Sequence, residues 1–516
     1  MSTPKDLLRD RLRALGPAAL RDIRRGIEKE SLRVRTDGVL ATDPHPQKLG
    51  SALSHPHITT DFSESQLELI TGVHTGIEAC LEELTRIHQV VYRNIGDQMM
   101  WCASMPCGLP ADDAIPIGRY GNSNVGRAKT VYRTGLAHRY GRRMQTISGI
   151  HYNFSLPEIS DSNVAYFSLI RNFRRHSWLL LYLFGASPAV CSSFVEGRRH
   201  ELAELRRGTM YRPEATSLRM GPLGYQSDAQ ASLAVSYNGL DSYGASLQDA
   251  LTRPYPPYEA IGIREPGARG DGIESYRQLA TSLLQIENEF YGTIRPKRVI
   301  RQGERPLHAL RERGVEYVEV RLMDLDPFEP IGINAATIRL LDVFLLHCLL
   351  SESPPDSVEE IAANARNQHR VAARGREHGL HLECRGKEVA LPEWGSDVLT
   401  ACEPIAAALD AAHGRKAYAD ALSAALSALR DSAPLPSARV LKAMAEDNDS
   451  YVRFVLRQSR QHLAAIGSLA LPASEEAKLA RLAETSMAEQ RQIEASDSLP
   501  FEIFRQRYLS PERLGL

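Results

Sequence analysis

Apolar positions recur at helical spacing between residues 75 and 97, and they predict an amphipathic helix. They form one stripe: Ile77, Cys80, Leu81, Leu84, Ile87, Val91 and Ile95. Thr75 and Glu78 have the spacing of a capping box, which predicts where this helix begins. An earlier segment, RRGIEKESLRV at 24–34, instead alternates apolar and polar residues and therefore predicts a strand.

Short strand-like runs occupy residues 111–340, separated by loops rich in Gly, Asn and Tyr. The runs are QTISGIHYNFSL, SLLQIENEFY and GVEYVEVRLMDL, with a predicted helix at about 163–184. No regular strand–helix–strand alternation appears, so the pattern predicts an α+β fold. Beyond about Gly332 the chain is rich in Ala and Leu, and helical periods run through 335–350, 358–374, 394–412, 416–430, 436–467, 473–495 and 500–508. We therefore predict a catalytic α+β core at 1–335 and a mostly helical region at 336–516 packed on it.

Charge is balanced along the 516 residues, since 62 Lys and Arg against 63 Asp and Glu give a net charge of −1. No block of like charge suggests a nucleic-acid or lipid surface, so charged chemistry is expected in a cleft. The longest apolar run, at 178–184, is too short to cross a membrane. Seven cysteines without a CxxC pair, and an N-terminus without an apolar signal segment, favour free thiols and a cytoplasmic location.

Carboxylates occur where apolar alternation predicts buried strands. Glu28 and Glu30 are two residues apart and point to one face of a strand, although an exposed acidic face is the alternative. In ITTDFSESQLELITG, Asp61 and Glu68 are seven apart and would face opposite ways on an unbroken strand. We expect the Ser63–Ser65 segment to break the strand and bring both to one side. We interpret Glu64, between two serines, as solvated.

Other polar residues could complete a site. His151 shares a strand face with Asn153, and Glu319 shares one with Arg321; a structural histidine and a plain salt bridge are the alternatives. Arginine and lysine side chains that could hold phosphate or substrate carboxylate are Lys129, Arg133, Arg219, Arg295, Lys297 and Arg298.

Walker A, HExxH, GxSxG and Rossmann GxGxxG motifs are absent. Carboxylates with one histidine suit Mg²⁺ or Mn²⁺ rather than zinc and indicate nucleotide-dependent phosphoryl transfer.

Several longer stretches carry a more specific signal than these short motifs: GIEKESLRV, GSALSHPHITTDFSESQLELIT, YGNSNVGRAKTVYRTGLAHRYG, MQTISGIHYNFSLP, ATSLRMGPLGY, LQIENEFYGTIRPKR and GVEYVEVRLMDLDPFEPIGI. These stretches resemble the glutamate–cysteine ligases (γ-glutamylcysteine synthetases) of the proteobacterial type. They are collinear over about residues 20–340, whereas the helical third carries no matching site. The resemblance implies a fold like that of glutamine synthetase and guanido kinases, with a curved, mostly antiparallel sheet that forms an active-site funnel.

The resemblance also implies residue roles. The metal ligands around the ATP phosphates would be Glu28, Glu30, Asp61, Glu68, His151 and Glu319. The catalytic cations would be Arg133, Arg219 and Arg321, and weaker phosphate-binding candidates are Lys129, Arg295, Lys297 and Arg298. The wall of the cysteine pocket would be Phe62, Tyr132, Leu136, Ile147, Tyr225 and Tyr291.

The implied activity joins the γ-carboxylate of L-glutamate to the amino group of L-cysteine through γ-glutamyl phosphate, the first step of glutathione biosynthesis. ATP would be the cosubstrate and Mg²⁺ or Mn²⁺ the cofactor, in a monomer that binds small molecules but neither nucleic acid nor membrane. No ATP-grasp domain follows, so a single-step enzyme is expected. The alternatives are a ligase that uses another amine, and a metal-dependent kinase or phosphohydrolase on the same scaffold.

Overall fold

The computed structural model describes residues 4–157, 159–224, 228–230, 233–266, 272–301 and 303–515. Its strands are β1 (Arg24–Val34), β2 (Ile58–Thr60), β3 (Gln66–Ile70), β4 (Met99–Met100), β5 (Ile150–Ser155), β6 (Ala189–Cys191), β7 (Ala203–Arg206), β8 (Thr209–Tyr211), β9 (Ile294–Lys297), β10 (Tyr317–Met323), β11 (His381–Cys384) and β12 (Lys387–Ala390). The main sheet has the order β2-β3-β1-β5-β10-β9, with β4 also paired to β1. Every pairing in it is antiparallel.

Helices surround this sheet and make up most of the chain after residue 335. They are α1 (Pro4–Arg21), α2 (Ile77–Asn94), α3 (Asn124–Tyr140), α4 (Arg142–Gln145), α5 (Ser162–Phe184), α6 (Ser192–Val195), α7 (Leu240–Thr252), α8 (Pro256–Ile261), α9 (Pro306–Arg313), α10 (Ala335–Leu350), α11 (Val358–Arg374), α12 (Leu391–Ala401), α13 (Glu403–His413), α14 (Ala417–Ala428), α15 (Pro436–Glu446), α16 (Tyr451–Ser468), α17 (Ala473–Ser496) and α18 (Phe501–Leu509). Among the described residues, no helix is both long and apolar enough to cross a membrane.

The two faces of the main sheet have opposite characters because strand side chains alternate. On one face Tyr152, Phe154, Val318 and Val320 are fully buried in the largest apolar cluster, with side chains of α2, α5 and α10. A buried ion pair joins this face to α10, since the Arg25 guanidinium lies 2.9 Å from an oxygen of Asp342. The other face presents the charged residues of the same strands, and it forms the floor of the site described below.

The α+β prediction is confirmed, as are several individual elements. The alternating segment forms β1 at its predicted bounds, and α10 and α11 also occupy the predicted ranges. The predicted capping box is wrong: α2 follows Gly76, and no side chain caps it. The Thr75 carbonyl instead accepts a hydrogen bond from buried Arg25.

Other sequence predictions are corrected by side-chain contacts. SLLQIENEFY was predicted as strand but contains only the 3-10 turn Glu287–Glu289. A polar side chain holds the turn, since the Glu289 carboxylate accepts a hydrogen bond from the backbone N–H of Gln285 at 2.7 Å. The predicted helices at 394–412 and 436–467 each divide in two, at Cys402 and at 447–450. Asn448 has a φ of 52°, which ends helical geometry there.

Sequence patterns missed two small sheets and one covalent link. The sheets have the orders β6-β8-β7 and β11-β12. Cys107 and Cys191, 84 residues apart, form a disulfide, so the expectation of free thiols is wrong for this pair. Free cysteines in the described chain are Cys80, Cys102, Cys348, Cys384 and Cys402, and all but Cys384 are buried.

Candidate active site

A cavity of about 400 Å³ opens over the charged face of the main sheet. Strands β1, β3, β5, β9 and β10 form its floor, α3 forms one side, and the 279–306 loops and α18 complete it. All six predicted metal ligands line it: Glu28, Glu30, Asp61, Glu68, His151 and Glu319. The structure therefore brings together residues that lie up to 291 positions apart (319 − 28).

Strand register explains how the floor gathers these groups. Glu30 lies directly across from Glu68 in the β1–β3 pair, and Glu28 lies across from His151 in the β1–β5 pair. The next strand, β10, places Glu319 across from Asn153. Opposed residues in an antiparallel pair have side chains on the same face, so these groups form a row across four strands. Lys29, between the two β1 glutamates, points the other way to His88, at 2.8 Å between Nζ and Nε2.

A tight turn between β2 and β3 brings Asp61 to the same cavity as Glu68. The Asp61 amide donates to the Gln66 carbonyl at 3.0 Å, and the Gln66 amide donates to the Ser63 carbonyl at 2.9 Å. Thr59 is paired with Glu68 across the hairpin, which reverses the chain between them. The break predicted at Ser63–Ser65 is therefore present.

Glu64 is not solvated as predicted, because it is 5% exposed. Its carboxylate accepts backbone N–H bonds from His45, at 2.6 Å, and from Arg119. It does not line the cavity and instead joins loops on either side of the hairpin. The two neighbouring serines gave no signal of this role, since the donors lie 19 and 55 residues away.

Two cavity carboxyls have raised pKa values. Burial, followed by the charge of Asp61, raises the pKa of Glu30 to about 8, although Arg219 and Arg321 oppose the shift. Burial, followed by the charges of Glu28, Asp61 and Glu30, raises the pKa of Glu68 well above its ordinary value. Burial and the neighbouring carboxylates therefore both favour the protonated, uncharged forms of Glu30 and Glu68.

The other end of the row is better neutralised. Burial raises the pKa of Glu319, but Lys297 and Arg321, at 3.2 and 3.0 Å from its oxygens, outweigh burial and hold that pKa well below its usual range. Burial and the charge of Glu319 raise the pKa of Glu28, but the hydrogen bond and charge of His151 lower it overall. Burial, followed by Arg321, lowers the pKa of His151 and favours neutral imidazole.

These groups fit a divalent cation. Ligand atoms of Glu28, His151 and Glu319 all lie within 4.8 Å of one another. Carboxylate oxygens with one neutral imidazole are the donors that Mg²⁺ and Mn²⁺ accept. A cation beside Glu30 and Glu68 would also neutralise the repulsion that raises their pKa values.

Helix α3 runs along one side of the cavity. Its lining residues recur at spacings of three and four: Val125, Ala128, Lys129, Tyr132, Arg133 and Leu136. At 1.5 Å per residue they extend over about 16 Å, with cations in the middle and apolar residues at both ends. The Arg133 guanidinium lies 4.4 Å from the Tyr120 ring centroid and donates to the Asp61 carbonyl, so it also holds the hairpin.

The predicted cysteine-pocket residues mostly gather at the C-terminal end of α3. Phe62, Tyr132, Leu136, Ile147 and Tyr291 line the cavity, whereas Tyr225 lies outside the described residues. Gln145 also lines it and donates to the Tyr291 hydroxyl at 2.8 Å.

The predicted basic residues divide into two groups. Lys129, Arg133, Arg295, Lys297 and Arg321 line the cavity. Arg219 and Arg298 do not. Arg298 lies 3.5 Å from Glu316 at the surface. Arg219 is 1% exposed behind the cavity, where it donates to the Arg321 carbonyl at 2.9 Å. Its guanidinium occupies the space that a Cβ at Gly149 would fill.

Sequence reasoning missed part of the lining. The missed residues include Met144, Gln145, Leu279, Ile286, Asn288, Phe504 and Tyr508. Ile286 lies in SLLQIENEFY, the segment predicted as a strand, and Leu279 lies just before that segment. Phe504 and Tyr508 are one turn apart on α18, and nothing in their local sequence indicates that this helix reaches the sheet.

Comparisons with known proteins agree on one family. Residues 12–371 match the family model described as glutamate–cysteine ligase. A glutamate–cysteine ligase of Alcanivorax borkumensis is 48% identical over 513 residues, covering 96% of this chain and 97% of its own. One from Pseudomonas aeruginosa is 47% identical over 523 residues, covering 98% of each chain.

Solved structures agree with the sequence comparisons. A glutamate–cysteine ligase from Francisella tularensis, determined in complex with AMP, matches with a TM-score of 0.88 and 36% identity, covering 94% of this chain and 97% of its own. A bifunctional glutathione synthetase from Pasteurella multocida matches with a TM-score of 0.68 and 27% identity. That match covers 89% of this chain and 55% of the Pasteurella protein.

Proposed function

Because the chain belongs to the glutamate–cysteine ligase family, we propose that the acidic cavity is where ATP activates glutamate for attack by cysteine. The protein is an ATP-dependent ligase that forms γ-glutamylcysteine, ADP and phosphate, the first step of glutathione biosynthesis. One observation carries the placement of this reaction: the register that brings the carboxylates of β1, β3 and β10 to one floor.

The residues proposed to hold Mg²⁺ or Mn²⁺ are Glu28, Glu30, Asp61, Glu68, His151 and Glu319. When bound, the cation would neutralise phosphate charge and align the reacting groups. The raised pKa values of Glu30 and Glu68 support this assignment, because burial and the neighbouring carboxylates make their charged forms unfavourable in the absence of a cation.

Phosphoryl transfer would take place beside the arginines. A γ-carboxylate oxygen of glutamate attacks the γ-phosphorus of ATP, and the bond between that phosphorus and the ADP oxygen breaks. Arg133 and Arg321, both in the lining, are proposed to stabilise the charge on the transferring group. Lys129, Arg295 and Lys297 are proposed to bind phosphate oxygens. We propose that Arg219 acts indirectly. It holds the Arg321 backbone through a hydrogen bond to the carbonyl, and its positive charge opposes the rise in the pKa of Glu30.

Amide formation would follow at the C-terminal end of α3. The cysteine nitrogen attacks the acyl carbon of γ-glutamyl phosphate, the C–O bond to phosphate breaks, and the amine loses a proton. Phe62, Leu136, Ile147 and Tyr291 are proposed to hold the cysteine side chain and exclude water, which would otherwise hydrolyse the acyl phosphate. Tyr132, between this wall and the cations, is proposed to contact both substrates.

We further propose that residues 1–335 form the catalytic core, with 336–516 packed on it, in a monomer located in the cytoplasm. The balanced charge supports a protein that binds small molecules rather than nucleic acid. Size-exclusion chromatography with light scattering tests the oligomeric state.

The test of the proposed site is a product assay. Purified protein with ATP, Mg²⁺, glutamate and cysteine should form γ-glutamylcysteine and phosphate in equal amounts. Glu68→Gln should lower turnover at least about 100-fold without lowering the melting temperature, because it removes a proposed metal ligand. Glu204→Gln, at an exposed position in β7, is the matched control. Wild-type turnover in Glu68→Gln would refute the metal assignment. Alanine and 2-aminobutyrate in place of cysteine measure amine selectivity.

A further inference from the structure

A second cavity, of about 560 Å³, lies outside the catalytic one, between α17, α2 and residues 47–58. Among the described residues, none lines both cavities. Strand β2 borders the two, since Ile58 lines the second cavity whereas Thr59 and Thr60 line the catalytic one. A volume of this size is typical of sites for small molecules.

Contacts along α17 hold this helix over the second cavity. Near its N-terminal end, Glu476 accepts a hydrogen bond from Arg93 of α2 at 2.6 Å. Farther along, the Ser486 carbonyl accepts a hydrogen bond from the Ser54 hydroxyl at 2.7 Å. The positions of α17 and α2 are therefore fixed relative to each other, and the space between them is present before a ligand binds.

The interior of the second cavity is apolar and its rim is charged. Apart from His55, the buried residues that line it are all apolar: Leu49, Ile58, Val90, Leu479 and Ala483. The charged residues that line it are exposed: Lys48, Glu476, Glu484 and Arg491. This arrangement suits a ligand that has an apolar body and a single polar end.

His55 supplies a hydrogen-bond donor to this apolar interior. The residue is 6% exposed, and its Nδ1 accepts backbone N–H bonds from His57 at 3.0 Å and from Ile58 at 2.9 Å. The imidazole proton is therefore on Nε2. Burial, followed by the charge of His57, lowers the pKa of His55 to about 4, so the ring is neutral near pH 7. Within the described part of the chain Nε2 has no hydrogen-bond partner, and a ligand oxygen would supply one.

The charges at the rim favour an anionic ligand. Glu476 is paired with Arg93 at 2.6 Å, whereas Lys48 and Arg491 form no ion pair with any residue that the structure describes. Glu484 is likewise unpaired among these residues. Two unpaired cations against one unpaired carboxylate leave a net positive charge at the rim, which attracts an anion.

We propose that the second cavity binds a small organic acid, with its apolar body between α17 and α2 and its carboxylate accepting the Nε2–H of His55. A carboxylate suits this donor better than a neutral oxygen does, because a hydrogen bond to a charged acceptor is stronger. Glutamate, cysteine and ATP have no apolar body that would fill such an interior. The ligand is therefore a different molecule from the substrates of the proposed reaction.

Calorimetry with octanoate tests this proposal, with 1-octanol and acetate as matched ligands. Octanoate should bind at one site, about 5- to 10-fold more tightly than 1-octanol, because a hydrogen bond to a charged acceptor exceeds a neutral one by about that factor. Acetate has the carboxylate without the apolar body and should not bind detectably. No octanoate binding, or binding no tighter than that of 1-octanol, overturns the proposal.

Three variants locate the bound octanoate. Ala480→Trp fills the second cavity from an exposed position on α17 and should abolish binding, whereas Thr485→Trp, at an exposed position outside the lining, should bind as wild type does. His55→Asn keeps an acceptor near the position of Nδ1 but loses the Nε2 donor, so the Kd should rise about 10-fold or more.

Two results from these variants would overturn the proposal. The first is octanoate binding that survives in folded Ala480→Trp protein, and the second is an unchanged Kd in folded His55→Asn protein. If His55→Asn does not fold, the comparison of Ala480→Trp with Thr485→Trp decides the location, and the comparison of octanoate with 1-octanol decides the chemistry. None of these measurements uses turnover, so their outcome is independent of the proposed function.

Discussion

Replacing Glu30 with Gln should stabilise the metal-free protein, although Glu30 is proposed to be essential for activity. The Glu30 side chain is 8% exposed and lies across from Glu68 on the cavity floor. One of its oxygens accepts the Gly149 N–H at 2.7 Å. The side-chain oxygen of glutamine can keep that hydrogen bond, so the substitution removes charge with little change of shape.

The expected magnitude follows from the pKa of Glu30, which burial and Asp61 raise from an ordinary 4.5 to about 8. Between these two values the folded protein holds a proton that the unfolded chain has released, so the free energy of unfolding falls as pH rises. Below about pH 4.5 both states are protonated and the penalty disappears. At pH 7 the penalty is at most about 3 kcal/mol, from 2.5 pH units at 1.36 kcal/mol each.

Urea unfolding in EDTA, from pH 4 to pH 8, measures this difference. Glu30→Gln should match wild type at pH 4 and become progressively more stable up to pH 8. Exposed Glu204→Gln should follow the wild-type curve throughout. With Mg²⁺ present, the difference in stability should shift in favour of wild type, because the cation binds a carboxylate more strongly than an amide. A Glu30→Gln protein that is less stable without metal, or equally more stable at every pH, would refute the reasoning.

Two other substitutions test contacts outside the cavity. Arg25→Met should lower the free energy of unfolding by about 3–5 kcal/mol, because it leaves the buried Asp342 carboxylate without its cation, whereas Arg25→Met with Asp342→Leu should recover most of the loss. Equal stability of the single and double variants in urea unfolding would contradict this. Glu64→Ala should lower the free energy of unfolding by about 2–4 kcal/mol, because the backbone N–H groups of His45 and Arg119 lose their acceptor. Glu64→Gln should lower it by less. Thermal unfolding measures both Glu64 variants, and a wild-type melting temperature for Glu64→Ala would argue against the role.

Local patterns predicted the elements on which the site is built. Alternation in β1 placed Glu28 and Glu30 on one face, and the serine-rich break before β3 predicted the reversal that joins Asp61 to Glu68. These predictions succeed because side-chain direction along a strand depends on consecutive residues alone. The same reasoning failed for Glu64, whose partners lie outside its own hairpin.

The sequence by itself determined the α+β class, the family and which carboxylates face together on each strand. Only the tertiary structure decided which strands pair, and therefore that Glu30 lies across from Glu68 while Arg219 lies behind Gly149. It also decided that Phe504, more than 470 residues after Glu28, lines the same cavity. Periodicity depends on neighbouring residues alone, whereas these contacts depend on the path of the whole chain and on how its elements pack together.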